Sequence, residues 1–233
     1  MSLVVRNPPR APLAQADALA ALGVATVHEA QDRTGLLDPA LRPVHPGARV
    51  CGTAVTVSVP PGDNWMIHVA VEQCRPGDLL VVAPTSASAA GYIGELLATA
   101  LAARGVRGVV IDAGCRDIAE LRAMGFPVWA RHVSAYGTVK ETLGDVNVPL
   151  VCAGRLVTPG ALVLADDDGV VVVPRTRAAE VIDASRAREA KEETSRARYR
   201  AGELSLDTGA MRERLAAKGL TYRDHAEAEG PRT

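Results

Sequence analysis

Arg116 and Asp117 close the run Asp112-Ala-Gly-Cys-Arg-Asp117. A guanidinium can grip a carboxylate through parallel N–H donors, and a neighbouring carboxylate can hold a hard divalent cation. Earlier in the chain, Gly94-Glu95-Leu96-Leu97 opens a helix after a loop of small residues, 86–91. The first N–H groups of a helix have no intrahelical acceptor, so Leu96 and Leu97 can receive an anion there. Glu95 stands beside them and can organise the water around a metal. Each piece also has a plainer use. An acidic residue in a first helical turn complements the dipole, and an Arg-Asp pair can be a salt bridge and cap. Taken together they suit a small keto-acid chelated to a metal.

Other polar residues read as structural. His68 sits among Trp65, Ile67 and Val71, a setting typical of a histidine satisfied within the fold, and His28 lies within a short helix. Asp166-Asp-Asp-Gly169 lacks the ligand spacing and later Glu of a calcium loop and reads as a β-turn. Glu189, Glu192 and Glu193 belong to a charged helix, normally a solvated face. No GxSxG, P-loop, HExxH or dinucleotide fingerprint is present, and no lysine marks an apolar strand end for Schiff-base chemistry. That leaves a metal-dependent mechanism.

The elements that must position these residues alternate between strand and helix. Helices are expected at 14–22, at 27–33 with Thr26 as cap, at 64–74, at 93–104 and at 118–124. Strands are expected at 50–60, 79–83, 108–112 and 127–131. This alternation implies a mainly parallel α/β layer. Short β segments at 148–153, 156–157, 161–165 and 170–173 then form a meander, giving a second β layer. A long charged helix over 176–201 and a short one over 211–217 form a C-terminal arm. The expected division is a domain over 1–175 and an arm over 176–233 that reaches a neighbouring subunit.

The 233 residues are 48% hydrophobic with a net charge of −1. Such a balance gives no reason to expect nucleic acid or an anionic membrane as partner. No apolar run is long enough to span a bilayer, and the first residues lack a signal peptide's apolar centre, so a cytoplasmic protein is expected. Cys51, Cys74, Cys115 and Cys152 are far apart and read as buried thiols.

Several stretches in order carry a family resemblance: Gly23-Val-Ala-Thr-Val-His-Glu-Ala30, Pro61-Gly-Asp-Asn-Trp-Met-Ile-His68, Gly94-Glu-Leu-Leu97, Arg104-Gly-Val-Arg-Gly108 and Gly114-Cys-Arg-Asp117. They continue with Gly137-Thr-Val-Lys-Glu-Thr-Leu143, Ala165-Asp-Asp-Asp-Gly169 and Gly202-Glu-Leu-Ser-Leu-Asp207. The chain resembles the class II pyruvate aldolases acting on 4-hydroxy-4-methyl-2-oxoglutarate and 4-carboxy-4-hydroxy-2-oxoadipate. That family shares its fold with the regulators of ribonuclease E activity. The resemblance implies an αββα sandwich with mixed sheets, of the swivelling β/β/α kind, in homotrimers or homohexamers. It implies that Arg116 binds the keto-acid, Asp117 binds Mg²⁺ or Mn²⁺, and the amides of Gly94–Leu97 hold the pyruvyl carboxylate. Glu95 fits the position of a helping acid. Glu192, with Glu193 adjacent, matches an acid that completes the metal's outer shell from a neighbouring subunit.

The implied reaction is cleavage of 4-carboxy-4-hydroxy-2-oxoadipate to pyruvate and oxaloacetate, with oxaloacetate decarboxylation as a second activity. The implied place is the 4,5-cleavage route of protocatechuate or gallate. Alternatives are 4-hydroxy-4-methyl-2-oxoglutarate or another hydroxy-keto acid as substrate, or a non-enzymatic regulator of an RNA-degrading enzyme. The charged helix beyond Thr176 favours the enzyme, since the regulators are shorter.

Overall fold

The computed structural model describes residues 2–225. It forms two units, Met1–Arg188 and Glu189–Thr233. In chain order the elements are α1 (Leu13–Leu22), α2 (Val24–Ala30), β1 (Arg42–Pro43), β2 (Val50–Val59), α3 (Trp65–Gln73), β3 (Asp78–Pro84) and β4 (Gly91–Ile93). There follow α4 (Glu95–Ala103), β5 (Val109–Cys115), α5 (Ile118–Met124), β6 (Val128–Val133), β7 (Asp145–Val146), β8 (Leu150–Cys152) and β9 (Arg155–Val157). The last are β10 (Leu162–Asp166), β11 (Gly169–Val173), α6 (Ala178–Arg200) and α7 (Met211–Ala217).

The strand path is β1-β6-β5-β3-β2-β10-β11, with β4 added on β5 and β7 on β2. Strands β2, β3, β5 and β6 run parallel, whereas β10 and β11 are antiparallel. The parallel strands and the β10–β11 hairpin are therefore parts of one hydrogen-bonded mixed sheet, joined through β2, while β8 and β9 pair with each other as a separate two-stranded sheet. Strand β2 is long enough to serve both. Its Cys51 faces one outer core with α1, α2 and the start of α6, while Val55, Val57 and Val59 face another with α3, α4 and α5. Ala54 points the other way, into a core between the layers.

The same alternation runs through the other strands. Leu80 and Val82 of β3 face the α3–α5 side, and Leu79 and Val81 face the central core. Leu162 and Leu164 of β10 meet α1 and α2, and Val163 and Ala165 face inward. Strands apolar on both faces read as continuous Val, Leu and Ile runs because both sides are covered. The order β2, β3, β5, β6 advances in one direction, so crossovers of one hand place α3, α4 and α5 on one face.

Some boundaries differ from those expected. Helix α2 starts at Val24, not after Thr26, because the Asp166 carboxylate accepts a hydrogen bond from Val24 N at 2.9 Å. A side chain from the β10–β11 turn thus does the capping. Residues 91–93 form β4, leaving Glu95 as the first residue of α4. Strand β5 runs on to Cys115, carrying Arg116 to its very end. The turn expected at Asp166–Gly169 links β10 to β11. In α6, Ala178, Val181, Ile182 and Ser185 are buried, so its first turns belong to the first unit. All four cysteines are buried and free. Burial pushes the Cys51, Cys74 and Cys115 thiols up to about 12.

The second unit holds the rest of α6, a short 3-10 turn at Ser205–Asp207 and α7. It is laced by local ion pairs, among them Arg198 with Glu203 at 2.6 Å and Arg212 with Asp207. Among the described residues no helix is long and apolar enough to cross a membrane.

Trp129 of β6 is fully buried in the central core, and its Nε1 donates to the Asp166 carbonyl at 2.8 Å. Replacing it by Ala should lower unfolding free energy by about 3–5 kcal/mol, with a smaller loss for Phe. Urea titration of both variants checks this.

Candidate active site

The polypeptide brings the two sequence clusters together through β4 and β5. These strands run parallel, pairing Gly91 with Gly114 and Ile93 with Cys115, so both end at the same edge. Helix α4 begins immediately after β4 and α5 immediately after β5. Arg116 N donates to Ile93 O at 2.8 Å, and Glu95 N donates to Asp117 Oδ2 at 3.0 Å. Leu96 and Leu97 follow in the first turn, where backbone N–H groups lack intrahelical acceptors.

Gly94 makes this approach possible. A Cβ there would lie 2.3 Å from Asp117 Oδ2 and 3.1 Å from Arg116 Nε. Asp117 has a left-handed backbone, φ 57°, which costs a non-glycine residue about 1–2 kcal/mol. Its carbonyl accepts from Leu121 N at 2.9 Å and starts α5. Strain retained in a residue at a cavity is a mark of functional placement.

Arg116 Nε lies 3.7 Å from Asp117 Oδ2, with both side chains half-exposed. Among the described residues Asp117 Oδ1 receives no hydrogen bond, leaving it available to a cation. No group of three or more His, Cys, Asp or Glu side chains is arranged to hold a metal among those residues. A lone carboxylate still suits Mg²⁺ or Mn²⁺, which complete their octahedra with water and substrate oxygens.

These residues line a cavity of about 130 Å³. Gly94, Leu96, Leu97, Arg116 and Asp117 line it together with Asn64, His68, Tyr92 and Lys140. Glu95 does not line it: its carboxylate accepts from Thr99 Oγ1 at 3.0 Å, along the outer face of α4. Glu192 lies on α6 within the second unit.

His68, expected to be structural, instead faces this cavity. Met66, Ile67 and Ala70 turn the buried side of α3 toward the core, which leaves His68 on the exposed side. Partial burial, followed by the nearby positive charge of Lys140, lowers its pKa from the ordinary value. Lys140 is the residue that sequence reasoning missed. It sits in the segment 134–144, which has little regular structure and follows β6.

Asp63 holds that segment in place. Its carboxylate accepts from Trp65 N at 2.9 Å and from Glu141 N and Thr142 N at 2.7 Å each. Alongside, Asn64 N donates to Val139 O and Val139 N donates to Gly62 O. Burial opposes ionisation of Asp63, yet the three N–H donors and Lys140 outweigh it and lower its pKa. Tyr92 anchors the same corner: Gly62 N donates to its hydroxyl at 2.6 Å, and that hydroxyl donates to Pro60 O. Asn64 Nδ2 donates to Tyr92 O at 3.0 Å, while its buried Oδ1 has no donor among the described residues.

A roomier cleft of about 360 Å³ passes Asp112, Arg131 and His132. There Asp112 is already engaged by Arg131 Nε at 2.6 Å and Ala153 N at 2.7 Å. That pairing braces β5 against β6 and the β8–β9 hairpin.

A family model described as RraA-like, Aldolase/RraA, matches residues 24–172. This chain belongs to the Aldolase/RraA family. A Halalkalibacterium halodurans relative, provisionally named a 4-hydroxy-4-methyl-2-oxoglutarate aldolase, is 30% identical over 167 residues, covering 72% of this chain and 80% of the relative. The Thermus thermophilus 4-hydroxy-4-methyl-2-oxoglutarate aldolase is 32% identical over 112 residues, 48% of this chain and 68% of that one. Streptomyces coelicolor RraAS2, described as an unusual member of the RNase ES inhibitor RraA family, superposes with a TM-score of 0.74 at 30% identity. The match spans 82% of this Aldolase/RraA chain and 99% of that structure.

The Asp63 carboxylate has a depressed folded pKa, so its stabilisation is present above the unfolded value of about 3.9 and is lost as pH falls through the folded value. Asp63→Asn should therefore destabilise by about 1–3 kcal/mol at neutral pH and flatten the acid limb of the stability profile. Thermal melts from pH 3 to 7 measure both effects. In a separate measurement, the His68 ring should titrate below about 6.5 by NMR, and Lys140→Met should move it upward.

Proposed function

We propose that this protein is a divalent-metal-dependent pyruvate aldolase cleaving 4-carboxy-4-hydroxy-2-oxoadipate to pyruvate and oxaloacetate. Cleavage of 4-hydroxy-4-methyl-2-oxoglutarate is the alternative within the same chemistry. The observation that carries the reading is the single cavity shared by the Gly94–Leu97 turn and the Arg116-Asp117 pair.

In this reading the Leu96 and Leu97 N–H groups bind the C1 carboxylate, and Arg116 lies against the 2-oxo oxygen. Asp117 would hold Mg²⁺ or Mn²⁺, which when bound supplies Lewis-acid polarisation of the keto group. The C4 hydroxyl proton would pass through a water to Glu192 of a neighbouring copy, and Glu95, whose carboxylate accepts from Thr99 outside the cavity lining, would only help to orient that water. The C4–O electrons become a carbonyl, the C3–C4 bond breaks, and its electron pair enters the pyruvyl fragment as an enolate. Arg116 stabilises the negative oxygen that develops, and a proton returned to C3 yields pyruvate. In this reading the guanidinium meets the charge that appears during reaction, and stabilisation aimed at such charge lowers a barrier. The same enolate forms when oxaloacetate loses CO₂, so decarboxylation of oxaloacetate is a second activity.

The active form is a homotrimer or homohexamer in the cytoplasm, acting on catabolites of aromatic compounds. The fold shared with RraAS2 also allows a regulator that binds an RNA-degrading enzyme, and such a protein would release no pyruvate.

Pyruvate release, coupled to lactate dehydrogenase, should depend on added Mg²⁺ or Mn²⁺ and vanish with EDTA. Arg116→Ala should lower kcat about 10²–10³-fold or more, as removal of comparable transition-state donors does. Undiminished turnover by that variant would reject the role given to Arg116.

A further inference from the structure

Resting on the aldolase reading, we infer that His68 is the acid–base residue that carries a proton to and from C3 of the pyruvyl fragment. The two protons of the reaction then have separate carriers.

Cleavage needs two proton transfers. One proton leaves the C4 hydroxyl as the C3–C4 bond breaks, and another must reach C3 before the enolate becomes pyruvate. The group that supplies it must stand in the cavity that holds the fragment. That cavity is only about 130 Å³, well below the size of pockets that enclose drug-sized ligands. A three-carbon acid bound there lies close to every side chain of the lining.

Few of those side chains can move a proton. Leu96 and Leu97 are apolar, and Gly94 has no side chain. A guanidinium is not deprotonated in proteins, and a side-chain amide is no acid or base near neutrality, which sets aside Arg116 and Asn64. The Tyr92 hydroxyl is engaged by the fold: it accepts from Gly62 N at 2.6 Å and donates to Pro60 O at 3.1 Å. Asp117 has one carboxylate oxygen on Glu95 N, and the proposed reaction gives the other to the cation. His68 and Lys140 remain, and of these two types imidazole is the one whose charge changes near neutral pH.

The place of His68 on α3 suits the task. Met66, Ile67 and Ala70 hold the helix to the core, while His68 stays exposed enough to be recharged from solvent. The charged groups that share its cavity are Lys140, Arg116 and Asp117. Burial, followed by the positive charge of Lys140, lowers the His68 pKa. Its imidazolium is thereby a readier donor, and its neutral ring is available to take the proton back in the reverse direction. In cleavage the N–H bond of the imidazolium breaks and the enolate's electron pair forms the C3–H bond. The neutral ring then takes a proton from water.

Deuterium uptake into the methyl group of pyruvate, followed by proton NMR in D₂O with Mg²⁺, reads the C3 step with no carbon–carbon bond to break. The wild type should exchange the methyl protons, and His68→Gln should slow exchange about 10²-fold or more. Pyruvate affinity of that variant, measured by calorimetry, should change by less than about threefold. Added imidazole should revive exchange in His68→Ala. Undiminished exchange in His68→Gln, a loss matched by lost pyruvate binding, or a His68→Ala that imidazole does not revive would overturn the assignment and leave the aldolase intact. So would a wild type that cleaves 4-hydroxy-4-methyl-2-oxoglutarate or 4-carboxy-4-hydroxy-2-oxoadipate yet exchanges nothing. A wild type that neither exchanges pyruvate nor cleaves either acid would overturn both readings.

Discussion

One backbone-to-side-chain hydrogen bond ties the start of α4 to the Arg116-Asp117 pair: Glu95 N to Asp117 Oδ2. It forms only because residue 94 carries no side chain, since a Cβ there would occupy the space of that carboxylate oxygen. The relation between the two helix starts follows from this contact. It sets the free N–H groups of α4 beside the guanidinium, and it turns the remaining Asp117 oxygen outward. The left-handed backbone at Asp117 is held by the same contact from one side and by α5 from the other. A carboxylate fixed in this way is preorganised for a cation and spends little freedom in binding one.

Below the site, the sheet supplies rigidity by being covered on every face. The long strand β2 belongs to both outer cores and the central one, so the two β layers cannot slide independently. Short β4 extends the edge of β5 past the point where β3 leaves it, and this extension aligns the starts of α4 and α5. Ligands gather at the carboxyl ends of parallel strands for this reason: successive helix starts converge there.

Much of this was legible from residue types. The apolar runs marked β3, β5 and β10, because strands buried on both faces show unbroken Val, Leu and Ile. Arg116-Asp117 stood out at the end of an expected strand and the Gly94–Leu97 turn at the start of an expected helix, both local signals, whereas the strand β4 that joins them was not marked. Thr26 was misleading as a cap because the acceptor used is Asp166, remote in sequence. Lys140 was hidden for a similar reason. No periodicity marks an irregular loop, and its position depends on Asp63, far earlier in the chain. His68 shows the opposite problem: Met66, Ile67 and Ala70 form the buried side of its helix, and His68 is not among them.

The loop bearing Lys140 is attached almost wholly through main-chain atoms. A tether of that kind places no demand on what the side chains are, provided Asp63 and its amide partners persist. Substitutions at 138–143 can thus accumulate without moving the Arg116-Asp117 pair. The course of the backbone there is inherited from a single upstream carboxylate, so the segment can change its lettering and keep its path.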